Sequence, residues 1–160
     1  MRRLGVGVVG CGNISMTYLR NAALFPGIEL RACADLSADL AQLRAAEYGI
    51  RVEPVESLLA AEDVDLVLNL TVPNAHYGVS MAALIAGKHV FTEKPLATSV
   101  KEGTALVAEA RRRHLALGSA PDTFLGAAGQ AVRRRPGTCR VPSPAPDDGG
   151  ALPRPVTGPP

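Results

Sequence analysis

This 160-residue chain is predicted to fold as a doubly wound α/β domain built on a parallel sheet. Three observations predict it. Short, almost continuously apolar stretches, such as residues 4–9 and 64–69, alternate with helical patterns of ten to fifteen residues. That alternation builds right-handed βαβ units. The strands also lack polar alternation, as they must when a sheet is covered on both faces, and 47% of the chain is hydrophobic.

Each element has its own signal. Residues 4–9 read as a buried strand that runs into Gly10-Cys11-Gly12-Asn13-Ile14-Ser15. A helix is expected over 14–24, ended by Phe25-Pro26-Gly27, and a strand over 28–35. Ser37 is placed to cap a helix reaching residue 48, where Gly49 stops it. A short strand at 50–53, a short helix at 55–61 and a strong strand at 64–69 follow. Thr71-Val72-Pro73-Asn74 reads as a loop, 76–86 as a helix ended by Gly87, and 89–92 as a strand. Ser99-Val100-Lys101-Glu102 has the capping-box pattern and opens a helix to 113. A last strand is expected at 115–118.

The pattern then breaks. Residues 134–160 hold 8 of the 13 prolines and show no hydrophobic periodicity, so they cannot bury enough surface to offset the entropy of ordering. They are expected to form a disordered Pro-rich C-terminal tail behind a single folded domain at 1–120. A docking peptide around Pro142-Ser143-Pro144-Ala145-Pro146 is the weaker alternative. Residues 1–133 carry 13 basic and 13 acidic residues, so the folded part lacks the basic face that nucleic-acid binding needs. Cys11, Cys33 and Cys139 are too few and too scattered for a disulfide framework or a zinc site, and no other metal-ligand cluster stands out. No apolar stretch approaches the ~20 residues of a membrane span, and no secretory leader precedes the first strand. A cytoplasmic location with no membrane partner is the expectation.

The turn after the first strand carries chemistry. In the G-x-G-x-x-G pattern the first glycine makes the tight turn, the second admits a pyrophosphate and the third lets helix pack on strand. Gly10 and Gly12 fill the first two places, and Ser15 stands at the third. The helix start at Asn13 and Ile14 offers free N–H groups and a positive dipole end to phosphate. Asp35 follows Ser15 by 20 residues, at the end of the second strand, where a carboxylate can accept from adenosine ribose hydroxyls. Its charge repels a 2′-phosphate and no Arg stands at 36 or 37, so NAD is expected over NADP. Asp35 as a helix cap is the plain alternative, although Ser37 can do that work. Thr71, Pro73, Asn74 and His76 stand at the carboxyl end of another strand, the edge at which open α/β sheets bind ligands. A helix-start His76 with no ligand is equally open.

Glu93-Lys94-Pro95 follows the strand at 89–92. Beside a nicotinamide, Lys94 could orient substrate or move a proton, Glu93 could hold its ammonium and Pro95 could fix the backbone, with a cis bond as one means. Without context such a run is a solvated loop. The combination of Gly10-Cys11-Gly12-Asn13-Ile14-Ser15, Asp35, Thr71-Val72-Pro73-Asn74-Ala75-His76, Gly87-Lys88-His89-Val90 and Glu93-Lys94-Pro95-Leu96-Ala97 strongly resembles the glucose-fructose oxidoreductase / inositol dehydrogenase (Gfo/Idh/MocA) family over residues 4–133.

The resemblance implies a Rossmann-type domain and NAD(P)-dependent oxidation of a sugar, inositol or polyol hydroxyl. It implies that Lys94 is catalytic and contacts the nicotinamide region. It implies that Gly10, Gly12, Asn13, Ile14, Asp35, Pro73, Asn74, His76 and Glu93 line the cofactor cleft. It further implies a second domain with the remaining catalytic groups and, in full-length relatives, an oligomer interface. Residues 121–133 look like the crossover into that domain. The collapse of the pattern near residue 134 is expected to mark a frameshift or truncation, for which the downstream DNA is the test. A chain so reduced would bind NAD and turn over little. A non-enzymatic nucleotide-binding or interaction module is the alternative. A methyltransferase fits less well, since it needs a different glycine spacing and no Glu93-Lys94-Pro95.

Overall fold

The computed structural model describes residues 2–120; the expected crossover at 121–133 and the tail at 134–160 lie outside them. Six parallel strands form one sheet in the order β3-β2-β1-β4-β5-β6. They are β1 (Leu4–Val9), β2 (Ile28–Ala34), β3 (Arg51–Val52), β4 (Leu66–Asn69), β5 (His89–Thr92) and β6 (Leu117–Ser119). Helices α1 (Asn13–Ala22), α2 (Ala38–Tyr48), α3 (Val55–Ala60), α4 (Pro73–Ile85) and α5 (Val100–Arg112) link them. The chain starts in the middle of the sheet, winds outward to β3, and returns to lay β4 on the other side of β1. This reversal makes a switch point between β1 and β4, where a crevice opens at the carboxyl edge.

Two cores sandwich the sheet. One gathers Leu58 and Leu59 of α3, Ala83 and Leu84 of α4, and Leu106 and Ala110 of α5 against Val67 and Val90. The other sets Leu19 of α1 and Ala41 and Ala45 of α2 against Val6, Val8 and Cys33. Cys33 is thus a small core residue, as its strand predicts. Glycines in β1 let its neighbours approach: a Cβ on Gly5 would sit 1.8 Å from the Asp63 carbonyl oxygen, and one on Gly7 would sit 2.7 Å from Leu58. On the α1 side, Leu66, Leu68 and Phe91 floor a groove of about 550 Å³ beside Tyr18, Phe25 and Lys94. Among the described residues no helix is long and apolar enough to cross a membrane.

The expected elements all form, with shifted ends. Ser37 caps α2 by accepting from Leu40 N–H, and Gly49 ends it in the left-handed region at φ +65°. Ser99 accepts from Glu102 N–H, but the Glu102 carboxylate takes the Thr98 hydroxyl, so the capping box is half made. Helix α4 begins at Pro73, three residues before the expected start, because proline's fixed φ suits a first helical position. The loop expected at 71–74 is therefore shorter, and Pro73 and Asn74 stand in the first turn of α4. Strand β6 begins two residues late because His114, at φ +57°, turns the chain first.

Candidate functional site

At the end of β1 the chain turns sharply at Gly10, whose φ is +100°. A Cβ there would lie 2.6 Å from the Leu70 carbonyl, so the turn demands glycine twice over. Gly12 differs: a Cβ would meet nothing within 4 Å, so this backbone faces open space where a ligand can come close. Gly12 is also the N-cap of α1, and no side chain caps it. No acidic residue stands in the first turn. The Asn13 and Ile14 side chains are exposed beside these N–H groups, which leaves the positive end of α1 available to an anion. Ser15 is fully buried, with its hydroxyl donating to the Gly12 carbonyl at 2.6 Å. A serine thus fits the third-glycine position because its hydroxyl is satisfied within the turn.

Asp35 lies just past β2 and braces this turn. Its Oδ2 accepts from the Cys11 N–H at 2.6 Å and its Oδ1 from the Ser37 N–H at 2.8 Å. The carboxylate joins the glycine turn to the start of α2, and its remaining lone pairs stay free for hydroxyl donors. Asp35 is not the cap of α2, since Ser37 does that work; it braces the residue that caps it. Cys11 is buried, and contact with the Cys33 sulfur together with burial pushes its thiol well above the usual range, which makes it inert. Arg44 of α2 is 7% exposed, reaches the Ser15 hydroxyl at 3.4 Å and pairs with Glu47. It supports the turn from below, and sequence reasoning passes over it because an arginine on a helix reads as surface.

Across the switch point, β4 ends at Asn69, which is fully buried. Its amide donates to the His76 carbonyl at 3.0 Å and to Ser80 Oγ at 2.9 Å, and its Oδ1 accepts the Thr71 hydroxyl at 2.6 Å. Thr71 therefore turns its hydroxyl inward, while Pro73 and Asn74 are exposed at the uncapped start of α4. His76 is 1% exposed. Its Nδ1 lies 2.6 Å from the Pro95 carbonyl oxygen and its Nε2 lies 3.0 Å from that of Thr71. The ring spans two loops with both nitrogens occupied by backbone. Asn69 carries a signal that sequence reasoning missed, a polar residue closing an apolar strand.

The Lys94-Pro95 peptide bond is cis. Glu93 is half-buried; its Oε1 accepts the Tyr18 hydroxyl at 2.7 Å and its Oε2 accepts the Lys94 N–H at 3.0 Å. Lys94 itself is exposed at the rim of the groove. The carboxyl edge thus collects Gly10, Gly12, Asn13, Ile14 and Asp35 on one side of the switch point. On the other side stand Thr71, Pro73, Asn74, His76, Glu93 and Lys94. Helices α1 and α4, which flank the crevice, lack side-chain caps, as does the short α3, whereas α2 and α5 have theirs. Open N–H groups, a glycine-lined approach and a carboxylate beyond β2 fit a dinucleotide.

The comparisons agree with this geometry. The model of the GFO_IDH_MocA oxidoreductase family, NAD-binding Rossmann fold, matches residues 4–120. The chain is 38% identical over 113 residues to an inositol 2-dehydrogenase/D-chiro-inositol 3-dehydrogenase of Shouchella clausii, covering 68% of this chain and 32% of that one. Among solved structures, GenD2 from gentamicin A biosynthesis, in complex with NAD, superposes with a TM-score of 0.77 at 27% identity, over 79% of this chain and 37% of that one. KijD10, a 3-ketoreductase from Actinomadura kijaniata solved with NADP and TDP-benzene, gives 0.76 at 32% identity, over 82% and 41%. The chain spans about a third of the length of the curated relatives it matches. A family match over most of the chain, on a sheet whose crevice presents the expected groups, places it in the Gfo/Idh/MocA oxidoreductase family as an NAD-binding Rossmann domain.

Proposed function

We propose that this chain is the cofactor-binding part of an NAD-dependent oxidoreductase acting on a hydroxyl-bearing carbon of a sugar, inositol or related polyol. The observation that supports it best is the pair of uncapped helix starts at the switch point, with Asp35 on one side and Lys94 on the other. The dinucleotide, when bound, supplies the hydride acceptor. The N–H groups of Asn13 and Ile14 hold its pyrophosphate, and the absence of a side chain on Gly12 permits the approach. Asp35 accepts from ribose hydroxyls and disfavours a 2′-phosphate, which selects NAD over NADP. Pro73 and Asn74 line the crevice from α4, and Thr71 and His76 shape it from beneath. Glu93 and Lys94 close its far end, where Lys94 orients a substrate hydroxyl as the ammonium and takes its proton as the neutral amine.

Calorimetric titration of NADH and then NADPH into the full chain tests the cofactor reading. NADH binding at least tenfold tighter than NADPH is expected; binding of neither overturns it. Turnover of myo-inositol or hexoses tests the substrate class. Turnover of any polyol would exclude the other reading, a non-enzymatic nucleotide-binding module, whereas NADH binding without turnover is what the cofactor-binding part alone gives.

A further inference from the structure

Lys94 and the Glu93 carboxylate are neighbours in sequence, and a free glutamate beside a free lysine tends to pair with it. Here they do not pair. Among the described residues no ion pair forms to the Lys94 ammonium, and Glu93 spends its second oxygen on the Lys94 backbone N–H instead. The other oxygen is taken by a residue 75 positions away, Tyr18 of α1, whose hydroxyl donates at 2.7 Å. The Tyr18 ring is itself seated, tilted at 55° on Phe91 of β5 with centroids 6.4 Å apart. Its reach to Glu93 is therefore fixed by packing at both ends of the side chain.

We infer that Tyr18 is a positioning residue that keeps Lys94 available: by holding the Glu93 carboxylate, it prevents that group from closing on the lysine ammonium. The inference rests on the oxidoreductase reading for what Lys94 is kept available to do, a substrate hydroxyl. The holding itself needs no cofactor. It also ties α1, whose first turn would face the pyrophosphate of a bound dinucleotide, to the turn that carries the lysine.

Amine acetylation of the full chain, followed by mass spectrometry, tests this with no cofactor present. A lysine paired with a carboxylate reacts slowly, because the pair favours the charged, non-nucleophilic form. Lys88 and Lys101 serve as internal references. In Tyr18→Phe the ring packing stays and only the hydroxyl goes, so Glu93 is freed to pair. The Lys94 rate should fall at least threefold against Lys101. The double variant Tyr18→Phe/Glu93→Gln should restore it, since an amide cannot form the ion pair. Glu93→Gln alone should change the Lys94 rate less than twofold, because the carboxylate is already held away. An unchanged Lys94 rate in Tyr18→Phe overturns the inference. So does a rise of threefold or more in Glu93→Gln alone, which would mean the pair exists in the native chain. Both results stand apart from the NADH titration, which decides the cofactor reading separately.

Discussion

The glycine turn after β1 and the Glu93-Lys94-Pro95 turn after β5 lie on the same edge of one sheet but are held by different means. The first is held by backbone. Gly10 adopts a conformation that other residues rarely take, and the peptide packs against the Leu70 carbonyl. Asp35 then fastens the turn through the Cys11 N–H and joins it to the Ser37 N–H at the start of α2. The second is held by side chains from separate helices: Tyr18 of α1 on Glu93 and His76 of α4 on the Pro95 carbonyl. A turn held by its own backbone shows in the sequence as glycine. A turn held from outside shows only in the fold.

The largest expected effect comes from forcing a side chain into the first turn. Gly10→Ala combines positive-φ strain with a contact that backbone cannot relieve, so a loss of ~4 kcal/mol is expected in urea unfolding. A loss under ~1 kcal/mol would mean the turn is not set by its backbone, and the contrast would fail. Next comes His76→Ala in the second region. It empties a buried site and strands the carbonyl that the ring N–H serves, at a cost of ~3 kcal/mol. The same unfolding curve reads it, and a near-neutral result would show that the second turn stands without outside support.

Asp35→Asn is milder. The amide oxygen can still accept from one of the two N–H groups, but its N–H₂ faces the other donor and leaves it unpaired, so stability should fall by ~1–2 kcal/mol. Calorimetry should show NADH binding at least tenfold weaker. Stability loss with unchanged affinity would confine Asp35 to bracing. The smallest effect belongs to a surface group outside both turns. Arg112 and then Arg113 hold the Glu109 carboxyl down from its ordinary 4.5 to about 2. A depressed carboxyl contributes stability above pH 4.5 and loses it as the pH falls toward 2, so Glu109→Gln should flatten that part of the acid unfolding curve. High salt should shrink the difference, and NADH affinity should not change.

How far the sequence could be read follows the same division. Gly10, Gly49 and Gly87 announce turns because few other residues accept those backbones, and Asp35 is found by its distance from the glycine turn. The strands are legible because buried parallel strands are apolar throughout. Helix starts were less so: Pro73 fits a loop and a first helical turn equally well, and the fold decides. Tyr18, Asn69 and Arg44 were invisible as site-builders. Their partners lie at Glu93, at His76 and Ser80, and at Ser15, and the link from Tyr18 is made only when α1 crosses the sheet toward β5.

The His76 ring has a consequence for motion. Two loops on different strands would ordinarily open by separate fluctuations, each with its own rate. Here one imidazole bridges the carbonyls of Thr71 and Pro95, and Asn69 ties the His76 backbone to the same spot. Neither loop can lift without disturbing the ring that the other depends on. Backbone amides around 71 and 94 should therefore exchange with deuterium as one cooperative unit, while the ends of α5 fray independently.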